Sequence, residues 1–449
     1  MVQQEAEIGI VGAGISGLAL GRCLTMKAAP YFLLEAGLRP GGVIQTVEIE
    51  DGKYQLNYGA NTLFVDDADM DFLQDSGLGP DWIEPAKVGD NRFILRRQSY
   101  KALPSSPIRL LFSNFFSMAA KLKILRELKY TGHGDGYETV AAFFTRHFGA
   151  EVVANAVQPF VAGIYAGDAH RLLMRHAFPK LQAMEAEHGS ILKGLKKAGS
   201  AKGKRRKSIS FLKGMGTMID ALYHMNTNVQ LGQAVEKISR DSDGRFCLET
   251  KEGKLFTCKK LVLTLPAYTA AALLQPLHPA ASGVFAGIYY PAVAQLHFAF
   301  KRADVGFHLR GFGGLHPPNA GTFTNGAIWL SSLFPLRCPP TEVLLCVFVG
   351  GVGRPSIADM GEADILKKAV EEIGRIYEIS GAPTMQHIRL WPRAIPQYDS
   401  GLNGVAEAAA GLEKDNIFIL ANWLGGVSVQ DCIKKAIALG EKLQPTNGS

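Results

Sequence analysis

Apolar residues along the chain gather in short unbroken runs that stop at glycine, proline or an acid, and between these runs they recur every three or four positions. The runs predict buried strands and the wider spacing predicts helices. Ile8-Gly9-Ile10-Val11 breaks at Gly12 and continues through Leu18, Ala19, Leu20, Cys23 and Leu24 with helical spacing, which predicts a strand, a tight turn and a helix. Tyr31-Phe32-Leu33-Leu34 predicts a second strand, ending in Glu35. Residues 47–54 read as a hairpin turning at Asp51-Gly52. Helical patterns follow at 140–147 and 152–160, then strands at 229–238, 246–250 and 261–265, the last a continuous apolar run closed by Pro266 as in a parallel sheet. Strands at 295–300 and 343–348, with the turn-rich Gly311-Phe312-Gly313-Gly314 and Pro317-Pro318 between them, predict a second sheet that makes a substrate pocket. A last buried strand, 416–420, runs through Gly425-Gly426 into a helix from Val429.

The first turn reads Gly12-Ala13-Gly14-Ile15-Ser16-Gly17. In such a pattern the first glycine lets the chain turn, the second lets backbone approach a pyrophosphate, and the third lets the helix pack on the strand. The helix N-terminus then faces the phosphates. Glu35 stands about 20 residues on, where a ribose hydroxyl needs an acceptor. Strand, helix and acid together predict a bound dinucleotide. Arg39, Gly41, Gly42 and Thr46 follow in the order E-x3-R-x-G-G-x3-T, the paired glycines being either a close backbone approach or an ordinary turn. The second helix N-terminus, at Val429, carries partial positive charge that suits a flavin pyrimidine ring; alone it reads equally as a closing βα unit.

At 449 residues with 47 % hydrophobic composition, the chain can bury a large core. Its net charge of +7 comes without aromatic-basic interleaving, so no nucleic-acid partner is expected. Six scattered cysteines without a C-x-x-C pair signal neither a disulfide framework nor a zinc site, and a reducing compartment is expected. Eleven histidines show no metal-ligand spacing. The first strand starts within ten residues of Met1, leaving no room for a signal peptide's apolar core. No run of about 18 apolar residues predicts a spanning helix. Between positions 104 and 130, Leu110, Leu111, Phe112, Phe115 and Phe116 sit among Arg109, Lys121, Lys123, Arg126 and Lys129. That mixture fits helices at a lipid headgroup surface and equally a helical subdomain with its own core. The basic run at 202–207 reads as a solvated linker, or else as a lipid- or partner-binding patch.

Further segments follow in a fixed order: Gly59-Ala60-Asn61-Thr62, Asn91-Arg92-Phe93, Pro159-Phe160-Val161-Ala162-Gly163-Ile164-Tyr165-Ala166-Gly167-Asp168, Gly311-Phe312-Gly313, Trp391 with Ala394-Ile395-Pro396-Gln397-Tyr398, and Gly426-Val427-Ser428-Val429 before Asp431-Cys432-Ile433. With the glycine turn, Glu35 and residues 39–46, they make the chain resemble, over nearly its whole length, the flavin-dependent protoporphyrinogen oxidases of the amine oxidase-like FAD superfamily. The resemblance implies an α/β fold with a Rossmann-type FAD-binding domain from 1–54, 208–278 and 393–449, a mixed-sheet substrate domain from 55–90 and 279–392, and a helical, membrane-associating domain from 91–207. FAD would be held by Gly12, Gly14, Ile15, Ser16, Gly17, Glu35, Arg39, Gly41, Gly42, Thr46, Gly59, Ala60, Asn61, Val235, Trp391, Ala421, Asn422, Val427 and Val429. In that arrangement Glu35 meets the adenosine ribose, the Val235 backbone meets the adenine, and Val429 lies by the flavin ring. Arg92 would meet a substrate propionate, Leu315, Ile328 and Phe348 would surround the macrocycle, and Gly167 would bring backbone to the substrate.

The chain departs from the family pattern at Ala421-Asn422, where Gly-Asn or Gly-Asp is usual, at Leu402 in place of a histidine, at Gln430 in place of a glycine, and at Asn57 or Tyr58 in place of an acid. The implied reaction is oxidation of protoporphyrinogen IX to protoporphyrin IX in haem biosynthesis, with oxygen as acceptor. No side chain is nominated as a catalytic base and no metal is expected. Coproporphyrinogen III, with four propionates in place of two, is the alternative substrate. An inactive porphyrin-binding relative, suggested by Ala421 and Leu402, is a third reading. The implied setting is cytoplasmic, peripheral to the inner face of the cell membrane, with room for a homodimer.

Overall fold

A computed structural model describes residues 2–104, 112–200, 207–354 and 356–443; Arg109, Leu110, Leu111 and the basic residues 202–206 lie outside these. The first sheet is built on Val2–Val11, with Tyr31–Leu34 parallel on one side and Leu255–Leu263 parallel on the other. Val229–Gln230 extends the first edge, and Ile417–Ile419 pairs with the end of Leu255–Leu263. Parallel strands are covered on both faces, which is why they read as continuous apolar runs. Val11, Phe32 and Leu34 face one core with Leu261 and Leu263, while Ile8, Ile10 and Leu33 face another with Val262 and Phe418. The helices Ile15–Met26 and Val429–Lys442 cover the second face and approach closely: a Cβ at Gly440 would lie 2.8 Å from Cys23 Cβ. Phe246–Thr250 and Val235–Arg240 add an antiparallel flank.

The strand expected over 229–238 is two strands. Gly232, at φ +67°, donates its N–H to Gly37 O, and Gln233 N–H goes to Glu35 O, so the chain leaves the sheet there. That break ties Gly232 and Gln233 to the Glu35 turn, and Val235 then begins the flanking strand.

The second sheet has seven strands in the order Met385–Trp391, Val293–Lys301, Glu342–Gly350, Thr324–Ile328, Gly313–Leu315, Arg92–Arg96, Ser99–Ala102. The last two strands come from inside the stretch expected to be helical. One face of this sheet buries Leu296, Phe298, Trp329, Val347 and Tyr377 with Ile365, Ala369 and Ile373 of the helix Glu362–Ile376. The hairpin Gln45–Ile49 and Tyr54–Tyr58 lies on the other face, its Tyr54 and Leu56 packed with Leu344, Cys346 and Met385.

Helices between residues 118 and 200 form the remaining part. Phe115 and Phe116 belong to its core. The His147 imidazole sits between two buried carboxylates, Nδ1 at 3.0 Å from Glu127 and Nε2 at 3.0 Å from Glu185. Glu127 also accepts from Ile191 N–H at 2.7 Å and Ser190 Oγ at 2.8 Å, tying Met118–Glu127 to the start of Ile191–Ser200. Met118, Leu122 and Leu125 point outward instead, beside exposed Lys123, Arg126 and Lys129. Among the described residues no helix is long and apolar enough to cross a membrane.

Candidate active site

The glycine turn has a separate task at each position. Gly12 takes φ +107°, a conformation that side chains disfavour. At Gly17 a Cβ would lie 2.0 Å from Gly12 O, so only glycine lets the helix sit on the turn. At Gly14 a Cβ would meet nothing within 4 Å: the space above it is open. Gly41 pairs with Gly14 across an isolated bridge, and Gly42 approaches it so closely that its own Cβ would lie 3.5 Å from Gly14 Cα. Ile15 and Ser16 begin the helix, whose first N–H groups face this space. An open, glycine-lined concavity at a helix N-terminus is the fit expected for a pyrophosphate.

Around it, Glu35 accepts Ala13 N–H at 2.7 Å and Gly37 N–H at 2.8 Å, which leaves carboxylate lone pairs for a further donor. The break at Gly232 sets Gln233, two residues before Val235, against the backbone of this acid. Arg39 folds over the paired glycines, donating to Pro40 O at 3.1 Å and Gly42 O at 2.9 Å. Thr46 braces the wall: its hydroxyl donates to Asn57 Oδ1 at 2.8 Å and accepts Gly216 N–H at 2.8 Å. Met215 N–H reaches the same Asn57 oxygen at 3.0 Å. Asn57 thus has a structural use where the family pattern has an acid. The Gly214-Met215-Gly216 turn was absent from the sequence reading, although a G-x-G before a helix is a readable signal. Gly214, at φ +89°, has no room for a Cβ beside the Thr46 side chain.

Further in, Gly59 takes φ +73° and donates to Gln295 Oε1 at 3.1 Å, while Gln295 Nε2 donates to Asn57 O at 2.8 Å. Gln295 was not anticipated, because a lone glutamine in an apolar strand carries no sequence signal. Ala60 and Asn61 follow. Asn61 is 6 % exposed and its Oδ1 is an acceptor without a partner among the described residues, so a donor from a bound group is wanted there. Trp391 ends its strand, with the Arg389 guanidinium 4.6 Å from its ring centroid.

The last part of the wall is the turn at 421–428. Tyr398 holds it from below, donating to Asn422 O at 2.6 Å and accepting Gly426 N–H at 3.2 Å. Burial pushes the Tyr398 phenol far up, so it stays a donor. Its neighbour Gln397 donates to Tyr165 O at 2.8 Å, so the Gln-Tyr pair joins the helical part to this turn. Ala421 is 3 % exposed and its methyl packs in the core, which accommodates the departure from glycine. Val427 leads to Ser428, whose hydroxyl accepts Asp431 N–H at 3.0 Å and opens the helix at Val429. Gln430 turns toward Asp69.

Strand register collects the substrate candidates. Leu315 is opposite Gly326, which is opposite Phe348, which is opposite Gln295; one step along, Arg92 is opposite Gly313, then Ile328, Cys346 and His297. Residues two apart share a face, so Arg92, Leu315, Ile328 and Phe348 all look to the side that carries Gln295 and Gly59. Gly313 and Gly326, at φ +157° and +130°, leave no side chain between them, and a Cβ on either would strike backbone of the next strand. The floor is therefore flat and apolar. The helix Gln158–Tyr165 covers it, with Gly163 so close that its Cβ would lie 3.1 Å from Leu315 Cδ2. Gly167 lies behind this helix, against Gln397. Arg92 is exposed at the rim with its guanidinium 4.9 Å from the Phe312 ring centroid.

The sequence matches the family model of flavin containing amine oxidoreductases over residues 15–438. It is 32 % identical to the chloroplastic protoporphyrinogen oxidase of Oryza sativa subsp. japonica, over 96 % of this chain and 87 % of that one. It is 26 % identical to the coproporphyrinogen III oxidase of Bacillus subtilis (strain 168), over 98 % of each chain. A crystal structure of a candidate protoporphyrinogen oxidase from Exiguobacterium sp. 255-15 superposes with a TM-score of 0.82 at 19 % identity, covering 99 % of each chain. The reduced UDP-galactopyranose mutase fold matches at 0.73 and 13 % identity, over 98 % of this chain and 93 % of that one. The chain belongs to the flavin-containing amine oxidoreductases, and FAD is the dinucleotide for which its glycine turn is shaped.

Proposed function

We propose that this chain oxidises a porphyrinogen, with protoporphyrinogen IX as the first candidate, and that oxygen takes the electrons. The observation that carries the reading is the second sheet's flat face. A macrocycle needs a broad apolar floor, and Leu315, Ile328 and Phe348 around two side-chain-free glycines supply one. A porphyrinogen also needs a cation for its propionates, and Arg92 stands on the same face at the rim. A guanidinium never loses its charge in the working range and can donate two parallel hydrogen bonds to a carboxylate. Its guanidinium lies over the Phe312 ring, and the Asp90 carboxylate favours its charged form through space.

FAD, held at the glycine turn by Gly12, Gly14 and Glu35, would supply the redox chemistry: two electrons taken from the substrate at a time, passed to oxygen as hydrogen peroxide, until an aromatic porphyrin results. The protein's share is to orient the ring against the cofactor, to hold the propionates at Arg92 and to keep water from the floor with the Gln158–Tyr165 helix. No side chain is assigned the proton. The names of the relatives divide between two substrates, so purified protein is to be given each porphyrinogen while porphyrin fluorescence is followed. Turnover of protoporphyrinogen supports the first reading, and turnover of coproporphyrinogen alone replaces it with the second.

The outward Met118, Leu122 and Leu125 support attachment to a membrane surface, the setting we propose for the chain.

A further inference from the structure

The helix Val429–Lys442 carries Lys435 on the side that looks back at the turn before the helix. Its ammonium donates to Ala421 O at 2.7 Å, to Gly426 O at 3.1 Å and to Leu424 O. An ammonium has three donors and no acceptor, and all three are used on backbone. Lys435 makes no ion pair among the described residues, and the neighbouring Asp431 carboxylate is engaged by Ser428 as the helix cap. Burial lowers the Lys435 pKa from its ordinary 10.5.

The consequence lies on the opposite side of the turn. In a trans peptide the N–H of the next residue points away from the carbonyl before it. With the carbonyls of Ala421, Leu424 and Gly426 drawn to the ammonium, the N–H groups of Asn422, Gly425 and Val427 are turned away from it. None of these three N–H groups donates to a protein acceptor among the described residues. Positive φ at Gly425 and Gly426, +70° and +121°, lets the chain present carbonyls to one side within so short a stretch. Asn422 and Val427 are also positions at which FAD is expected.

We propose that Lys435 is a positioning residue for the flavin. It holds three peptide groups of the 421–427 turn with their N–H directed at the pyrimidine end of the ring, and its charge behind them favours the negative charge the ring gains on reduction. The proposal rests on the assignment of FAD to this turn. It differs from the helix N-terminus effect, because the lysine acts on the turn before the helix and adds a full charge.

The test separates the two parts and needs no porphyrinogen. Lys435→Gln keeps donors without charge, Lys435→Met keeps only length, and Lys435→Arg keeps the charge. For each, the FAD dissociation constant is measured by reconstituting apoprotein, and the flavin midpoint potential by anaerobic dye equilibration. Lys435→Gln is expected to hold oxidised FAD nearly as well as wild type but at a lower potential, a tenfold loss of preference for reduced flavin reading as about 30 mV. Lys435→Met is expected to bind FAD about tenfold more weakly or worse, as for loss of charged hydrogen bonds. Lys435→Arg is expected to keep a potential closer to wild type than the glutamine variant. Wild-type affinity and potential in both neutral variants would overturn the proposal. So would failure of both to fold before FAD is added, since Lys435 would then serve folding alone. A wild type that binds no FAD overturns the cofactor assignment instead.

Discussion

Gly14 and Gly17 stand three residues apart in one motif, yet they answer to different forces. A side chain at Gly17 would drive into the Gly12 carbonyl, so Gly17→Val is expected to cost about 3 kcal/mol or more and to lower yield and melting temperature. A side chain at Gly14 enters open space, so Gly14→Val is expected to fold with near wild-type melting behaviour of the apoprotein and to lose FAD on purification. Flavin released by denaturing the Gly14→Val protein in wild-type amount would remove the pyrophosphate from that concavity. Arg92 gives the matching test on the substrate side. The propionate contact proposed for it would lie away from the carbon that yields hydride, so ground and transition states would gain from it alike and its loss would belong in KM. Arg92→Ala is expected to raise KM by roughly one to two orders of magnitude, as for a charged hydrogen bond of about 1.5–3 kcal/mol, with kcat and bound FAD near wild type. An unchanged KM would take Arg92 out of the site.

Among the described elements, the helix Met118–Glu127 turns an apolar face outward. Glu127 and Ala120 are buried while Met118, Leu122 and Leu125 are exposed, so an apolar stripe is turned outward beside Lys123, Arg126 and Lys129. Leu122→Glu with Leu125→Glu is expected to abolish flotation with anionic vesicles while melting temperature holds, because neither side chain supports the core. Wild-type binding should weaken with salt, each basic residue near the surface contributing about 1 kcal/mol. No flotation of the wild type at low salt would return this helix to an ordinary surface. This helix and the residues before it show what a sequence pattern leaves open: the mixture of apolar and basic residues fits a lipid surface and a core alike, and only packing decides that Phe115 and Phe116 go inward and Leu122 outward. Parallel strands were legible where burial on both faces admits little but apolar residues, as in Tyr31–Leu34 and in Leu261, Val262 and Leu263 at the end of Leu255–Leu263. Arg92–Arg96 and Ser99–Ala102 were not, since the second is an exposed edge strand and the first begins and ends in arginine and has its other partner, Gly313–Leu315, far away in sequence. The glycine roles could be read locally. Gln295, Tyr398 and Lys435 act on backbone brought to them by the fold, and no local pattern announces that.

At the scale of the whole molecule, two sheets and a helical cover bring one set of elements to a single cleft. The dinucleotide turn, the hairpin wall and the 421–428 turn come from opposite ends of the chain, and the flat face of the second sheet looks toward Gly59 and Gln295 where they meet. The Gln397-Tyr398 pair locks the cover helix and the last turn into that arrangement. That arrangement suits the proposed passage of electrons from a flat substrate to the flavin. The most direct measurement is anaerobic mixing of the purified holoprotein with protoporphyrinogen while the flavin absorbance is recorded, followed by admission of oxygen. The expected result is bleaching of the flavin band by the first two-electron step, then return of the band when oxygen enters, with peroxide released and porphyrin fluorescence appearing as the remaining four electrons follow. A flavin band that stays unchanged with both protoporphyrinogen and coproporphyrinogen, in protein that retains its FAD, would contradict it.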